Sequence, residues 1–339
     1  MNYNFFKKLP LTLLALSLPN LANAEITIDG SMQWHYIAKD PGTTVSGASD
    51  DYMHSDNKVN FTFTNKTDAG LTISMFQTIR SNGTEAVSTA VSDGNSFSVE
   101  GGFGTLSLGN TGGIGDSLSP TAADLIGPGS TDGKAPQFYS STGSLTSQQA
   151  SLINIIDAEN NITYTLPPMG GLTLGASYKD AGQGAAENAD ETVVAGSYEL
   201  TSGAVKGTIV YANNSIGGAN AGDSSLNSTS LGITIASGPF TAIIAQAEDD
   251  QSATVKTEVN DYGLSYAVDD SLTLAAAGTE VDESVGGETL SVTSVSAKYT
   301  IVSGLDAYLT YSDYDYEAGT SGATADDGSV TILSLEATF

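Results

Sequence analysis

An apolar–polar alternation of period two returns in sixteen separate segments of this chain and limits its fold more than any other feature. In the first segment Ile26, Ile28, Gly30, Met32, Trp34, Tyr36 and Ala38 share one parity, while Thr27, Asp29, Ser31, Gln33, His35 and Lys39 share the other. Successive side chains of a β-strand point to opposite faces, so this spacing predicts strands whose two faces meet different surroundings. The pattern recurs at Val59, Phe61 and Phe63, at Leu71, Ile73, Met75 and Ile79, and at Tyr262, Leu264, Tyr266 and Val268. The predicted strands run over 25–39, 56–68, 70–81, 94–101, 104–110, 160–167, 171–180, 190–201, 204–213, 226–237, 239–249, 258–268, 271–282, 290–302, 304–316 and 328–339. Segments 94–101 and 226–237 are the least regular, together with the start of 290–302, where Leu290 and Val292 break parity with Val295 and Tyr299.

The connections carry a second signal. Turn residues join alternate pairs tightly, as at Asp68-Ala69-Gly70, Gly101-Gly102-Phe103, Ser202-Gly203 and Asp269-Asp270. Every other connection is long: 40–55, 82–93, 111–159, 181–189, 214–225, 250–257, 283–289 and 317–327. An all-β, sixteen-stranded antiparallel transmembrane barrel needs this asymmetry, with short periplasmic turns and long extracellular loops. An even strand number brings both ends of the sheet to one side, where strand 16 closes on strand 1.

A soluble sandwich also alternates. Lipid is favoured because the polar parity is rich in Ser, Thr, Asn and Gly, as suits a wet lumen. Aromatic residues of the apolar parity also gather near strand ends. Tyr36, Tyr178, Tyr211 and Tyr311 lie toward the long loops; Tyr164, Tyr198, Tyr266, Tyr299 and Phe339 lie toward the short turns. The chain opens on Lys7 and Lys8, an apolar stretch from Leu9 to Leu18, and Ala22-Asn23-Ala24, which reads as a signal peptide over 1–24 ahead of a barrel domain over 25–339. That stretch is too short for a spanning helix, which needs about twenty apolar residues, and no later stretch approaches that length. There is no cysteine, so no disulfide framework.

The chain has 39 acidic and 11 basic residues, a formal charge of −28. That excludes nucleic acid as a partner. No HExxH motif or phosphate-binding loop occurs, and the two histidines, His35 and His54, suggest no catalytic relay. The reading is therefore not an enzyme, and no cofactor is expected. Asp50-Asp51, Asp249-Asp250 and Asp326-Asp327 offer candidate positions for calcium. Most acids lie in or beside the long segments, where divalent cations would bridge them to lipopolysaccharide phosphates.

The sequence resembles the Gram-negative general porins, of the sixteen-stranded trimeric kind, over essentially the whole mature chain. The pieces that carry the resemblance are Gly101-Gly102-Phe103-Gly104-Thr105-Leu106-Ser107-Leu108-Gly109-Asn110, the stretch from Asn160 to Tyr178, and the terminal Phe339 after Leu333, Leu335 and Ala337. A terminal Phe of this kind resembles the signal read by the outer-membrane assembly machinery. The resemblance implies a homotrimer in contact with outer-membrane lipids, passing small hydrophilic solutes and ions. It implies that segment 111–159 folds inward and narrows the pore, with Asp116, Asp124 and Asp132 as candidate acids of the constriction. Where many relatives carry lumen-facing bases, this sequence has Ser31, Asn60, Ser96 and Asn110. Lys58, Lys66, Arg80, Lys206 and Lys298 remain on the inward parity, and Arg80 either faces the loop acids across the lumen or sits at the rim of its strand. Cation selectivity is the expectation. A substrate-specific channel, a barrel-based surface adhesin or receptor, and a soluble secreted β-protein are the other readings.

Overall fold

The computed structural model describes residues 24–41, 51–84, 87–110, 112–127, 161–180, 190–217, 226–250, 255–320 and 325–339, without the side chains at 41, 52, 82–84, 87–93 and 326. Sixteen antiparallel strands form one closed ring, each bonded to the next in sequence and the last to the first. They are β1 (Ala24–Pro41), β2 (Tyr52–Lys66), β3 (Thr72–Thr84), β4 (Val87–Gly101), β5 (Gly104–Asn110), β6 (Asn161–Thr165), β7 (Leu172–Lys179) and β8 (Glu191–Ser202). The second half comprises β9 (Val205–Ile216), β10 (Leu226–Ser237), β11 (Phe240–Asp250), β12 (Lys256–Ala267), β13 (Leu272–Glu283), β14 (Thr289–Val302), β15 (Leu305–Glu317) and β16 (Asp326–Thr338). Closure satisfies every sheet edge, which a lipid environment demands because it offers the backbone no water.

Closure is seated by β1 and β16, in register from Ser31↔Thr338 to Pro41↔Gly328. Gly30 and Phe339 exchange both backbone hydrogen bonds, at 3.1 and 3.2 Å. Gly30 lies on the outer parity, and a side chain there would strike the Phe339 ring. Two tight hairpins show why the turn residues were readable. Ser202 pairs with Val205 and Ser237 with Phe240, and the first turn residues, Gly203 and Gly238, have φ of +61° and +56°. Positive φ at that position suits a right-twisted hairpin and favours glycine, and Pro239 supplies the negative φ that follows.

The outer face is apolar through the membrane: Ile244, Leu264, Val295, Leu309 and Leu333 are each about half exposed or more. Phe240 and Tyr266 pack with ring centroids 4.8 Å apart and planes tilted by 32° in the aromatic belt near the short turns. Toward the long-loop end the two faces exchange polarity. On β15 Leu309 and Tyr311 point outward and Thr310 and Ser312 inward; further along, Asp313, Asp315 and Glu317 point outward while Tyr314 and Tyr316 are buried inside. Ile37, Val259, Val281, Leu290, Val292 and Ile332 join those tyrosines in one buried inner cluster. Leu290 and Val292 therefore do not mark a change of parity. The β14–β15 ladder is regular from Thr289↔Glu317 to Thr300↔Asp306, and both residues face the lumen.

The expected long connection at 82–93 is also corrected. β3 runs to Thr84 and β4 begins at Val87, so these residues form the arms of a long hairpin. A bulge hid the pattern: the β3–β4 register shifts between Gln77↔Asn95 and Ile79↔Ser92, leaving Gly94 at φ +130°. The extra residue flips parity partway along β4, and the alternation is lost to a reader of the sequence.

Candidate pore constriction

After β5 the chain turns into the lumen. Residues 112–127 contain a short helix, α1 (Ile114–Leu118), and a 3-10 turn over Ala122–Leu125, and they lie along the inner wall from β7 to β14. Inward polar side chains hold this segment at successive strands. Ser177 Oγ of β7 accepts from the Ile114 N–H at 2.7 Å, and Ser119 bonds Ser230 of β10 at 3.2 Å. Asp261 of β12, 2% exposed, accepts from the Ala122 N–H at 2.6 Å and the Thr121 hydroxyl at 3.1 Å, and on its other oxygen from Thr279 at 2.9 Å. Ser296 of β14 accepts from the Gly127 N–H at 3.3 Å.

Close approach depends on missing side chains. A Cβ at Gly175, Gly232 or Gly263 would meet Ile114 at 2.7 Å, Pro120 at 2.5 Å and Ala122 at 3.0 Å respectively. These wall glycines form a bed on which the segment rests.

The two described loop acids behave differently. Asp124 closes a capping box with Thr121, accepting from its N–H at 3.2 Å, and remains exposed to the lumen. Asp116 folds back against Gly112, where any side chain would strike its carboxylate. Asp116 is exposed on one side, yet the protein packed around the rest of it pushes its carboxyl above the usual carboxylate range. Asp132 lies outside the described residues.

On the facing wall, Ser31, Lys58 and Arg80 form one row across β1–β3, paired Ser31↔Lys58 and Lys58↔Arg80. Asn60 is in the next row toward the short turns. It donates to Asp29 at 2.8 Å and accepts from Thr78 at 2.9 Å. Ser96 also faces inward, paired with Phe76 and Gly109. Asn110 does not join them. It pairs with Asn95 on the parity of Leu106 and Leu108, the outer face of the wall, because the spacing from Gly109 places it one residue out of phase. Among the described residues, Asp56 on the adjacent strand, 2% exposed, holds Arg80, taking its Nε at 2.8 Å and its Nη2 at 2.6 Å. The only arginine of the chain thus has its charge matched on its own wall. His35 bonds Ser334 at 2.7 Å and stacks on His54, with ring centroids 5.9 Å apart.

A segment tied along the inside of a closed sixteen-stranded barrel narrows its lumen from that side. A family model described as Gram-negative porin matches residues 11–319 of the sequence. The chain belongs to that family. Among solved structures the porin resembles a mutant of the Rhodopseudomonas blastica porin, with a TM-score of 0.65 at 16% identity, covering 93% of this chain and 100% of that one. It also resembles an anion-selective porin from Comamonas acidovorans, with a TM-score of 0.63 at 14% identity and the same coverage. At such identity the likeness carries the fold. No curated protein matches the sequence. The porin is an outer-membrane β-barrel channel, and its family and fold are those of non-enzymatic channels.

Several residues of the constriction escape a sequence reading. Asp56 and Asp261 look like any other strand acid. The glycine bed had a signal, since Gly175, Gly232 and Gly263 all interrupt the inward parity of a strand. The expectation of calcium at Asp249-Asp250 fails on geometry. Asp249 faces inward and accepts from Ser228, whereas Asp250 faces outward, 3.4 Å from Lys256. Asp50 and the side chain of Asp326 lie outside the described residues, and among those described no three acids or histidines converge on a metal-sized site.

Proposed function

We propose that this porin passes small hydrophilic solutes and ions by passive diffusion and prefers cations. The observation that carries the preference is how the lumen charges are partnered. Asp29, Glu336 and Asp124 are each held by neutral donors, with no ion pair among the described residues: Asn60 for the first, Gln33 and Tyr308 for the second, the Thr121 N–H for the third. The bases Arg80, Lys179 and Lys298 instead sit against Asp56, Glu191 and Asp306, at 2.6, 3.8 and 2.8 Å. Carboxylates that bias a confined pore favour cations. Ser31, Asn60 and Ser96 add hydroxyl and amide groups and no positive charge; Lys58, Lys66 and Lys206 are the inward bases that work against the preference.

Liposome swelling tests the pore itself. Vesicles holding the purified protein should swell in small sugars and fail to swell in large oligosaccharides; vesicles that never swell would refute a diffusion pore.

The mature chain is proposed to start at Glu25 and to assemble as a homotrimer through the outer face of the first strands, where Met32, Trp34 and Phe63 are 58%, 45% and 41% exposed. A monomer by native mass in mild detergent would contradict the assembly. Outward acids at the rim, among them Asp313, Asp315 and Asp282, support contact with lipopolysaccharide through divalent cations.

A further inference from the structure

On the outer wall of β7–β9 the apolar surface opens into a groove of about 550 Å³, lined by Leu174, Val194, Tyr198, Ile209, Tyr211 and Asn213. A glycine makes the notch. Gly196 stands on the outward parity of β8, in one row with Leu174 of β7 and Tyr211 of β9. Leu174 leans toward it, since a Cβ at Gly196 would meet the Leu174 Cδ2 at 2.6 Å. Tyr198 turns the other way, its Cε2 3.8 Å from where a Cβ of Gly171 would lie, and so closes the groove at the short-turn end. Toward the long loops the groove ends at Asn213, paired with Val194, and the next outward row holds Thr192 and Ser215. That end is polar and uncharged. Within β7–β10 the outward parity carries no acid or base, whereas in β11–β15 it carries Glu248, Glu258, Asp282, Asp313 and Asp315.

The surroundings select the occupant. The groove is continuous with the lipid-facing wall of an outer-membrane barrel. In lipid an apolar groove gains nothing by leaving water, so whatever settles there is held by close packing. An extended acyl chain has wall beneath it and side chains on both flanks, more contact than a chain lying on a smooth part of the barrel. We infer that this groove holds one acyl chain of a lipopolysaccharide molecule, its methyl end toward Tyr198 and its carbonyl against Asn213. An asparagine amide has two N–H donors, and one of them reaches the Ser228 carbonyl at 3.4 Å. The other, with the hydroxyls of Thr192 and Ser215, suits the ester or amide carbonyl at the head of such a chain. The polar end faces the long loops and hence the outer leaflet, which favours this lipid over a glycerophospholipid of the periplasmic leaflet. The site is separate from the cation-bridged contact proposed at the acidic rim, because no carboxylate stands at its end.

The test is native mass measurement of the protein extracted in mild detergent from Gram-negative outer membranes and washed with a chelator of divalent cations. Wild type should keep one lipopolysaccharide per protomer through the wash. Gly196→Leu fills the notch and pushes Leu174 into the groove; retention should fall about tenfold, the scale of a few close-packed methylenes. Val295→Leu, outward on β14 and away from the groove, should retain lipid like wild type. If Gly196→Leu yields no heat-modifiable barrel, Asn213→Leu, which removes the polar end, should show the same loss. Lipid that leaves on chelation alone would overturn the groove and leave the rim contact standing. Retention of glycerophospholipid in place of lipopolysaccharide, equal retention by the groove variants, equal loss in Val295→Leu, or a wild-type oligomer that Gly196→Leu splits into smaller ones would each overturn it too, the last by showing a second copy on this face.

Discussion

Among the described residues, Asp261 takes two hydrogen bonds from the loop segment where Ser177, Ser230 and Ser296 make one each. Its carboxylate takes two donors from the loop and one from Thr279, and it is nearly inaccessible. Asp261→Ala leaves the Ala122 N–H buried without its acceptor, a penalty of about 1–3 kcal/mol. Because the cost falls on the attachment of the loop, the segment should loosen before the barrel does. Single-channel traces of the variant should show noisier currents of altered conductance, with thermal stability of the barrel nearly unchanged; wild-type traces would contradict the anchoring role. At this scale the sequence is a poor guide. Asp124 and Asp116 could be proposed from their place in a long segment, but a strand acid that holds a loop and one that lines a pore look alike until their partners are known. Arg80 illustrates the limit, since its partner Asp56 lies 24 residues away in the chain and only register brings them together.

Elements were far more legible, because a strand writes its environment into every second residue. Leu264 points outward and Ser265 inward on β12. Leu264→Arg should cost roughly 2–4 kcal/mol near mid-membrane, while Ser265→Arg should be tolerated. Unfolding followed by heat-dependent gel mobility would show it, and equal damage from both would contradict the register. The rule reverses beyond the membrane. Val292 is 2% exposed inside the barrel and Thr293 points outward into the rim. Val292→Asp should destabilise by at least about 2 kcal/mol and Thr293→Asp should have little effect. The same comparison made halfway down β14 would give the opposite sign. The alternation misleads where this simple code breaks. The apolar inner cluster made Leu290 and Val292 seem out of phase, and the bulge at Gly94 concealed the first half of β4.

For the whole molecule, closure and charge are the two consequences of the strand code. Closure was foreseeable from strand number and from the terminal alternation ending at Phe339. Deleting Phe339 removes two backbone hydrogen bonds to Gly30, about 1 kcal/mol each, and uncovers the seam between β1 and β16. Folded yield in the outer membrane should fall; normal yield would contradict a role for the terminus in closing the barrel. Charge was foreseeable in sign and not in placement. The chain is strongly acidic, but only the structure shows bases spent on neighbouring acids while Asp29, Asp124 and Glu336 are held by neutral donors. Screening by salt shortens the reach of such charges to about 10 Å at 0.1 M, so selectivity should weaken as salt rises. The reversal potential across a planar bilayer under a potassium chloride gradient, at low ionic strength, measures this directly. The account predicts a potential of the sign set by potassium, shrinking as both solutions are made more concentrated; a potential of the sign set by chloride would contradict it.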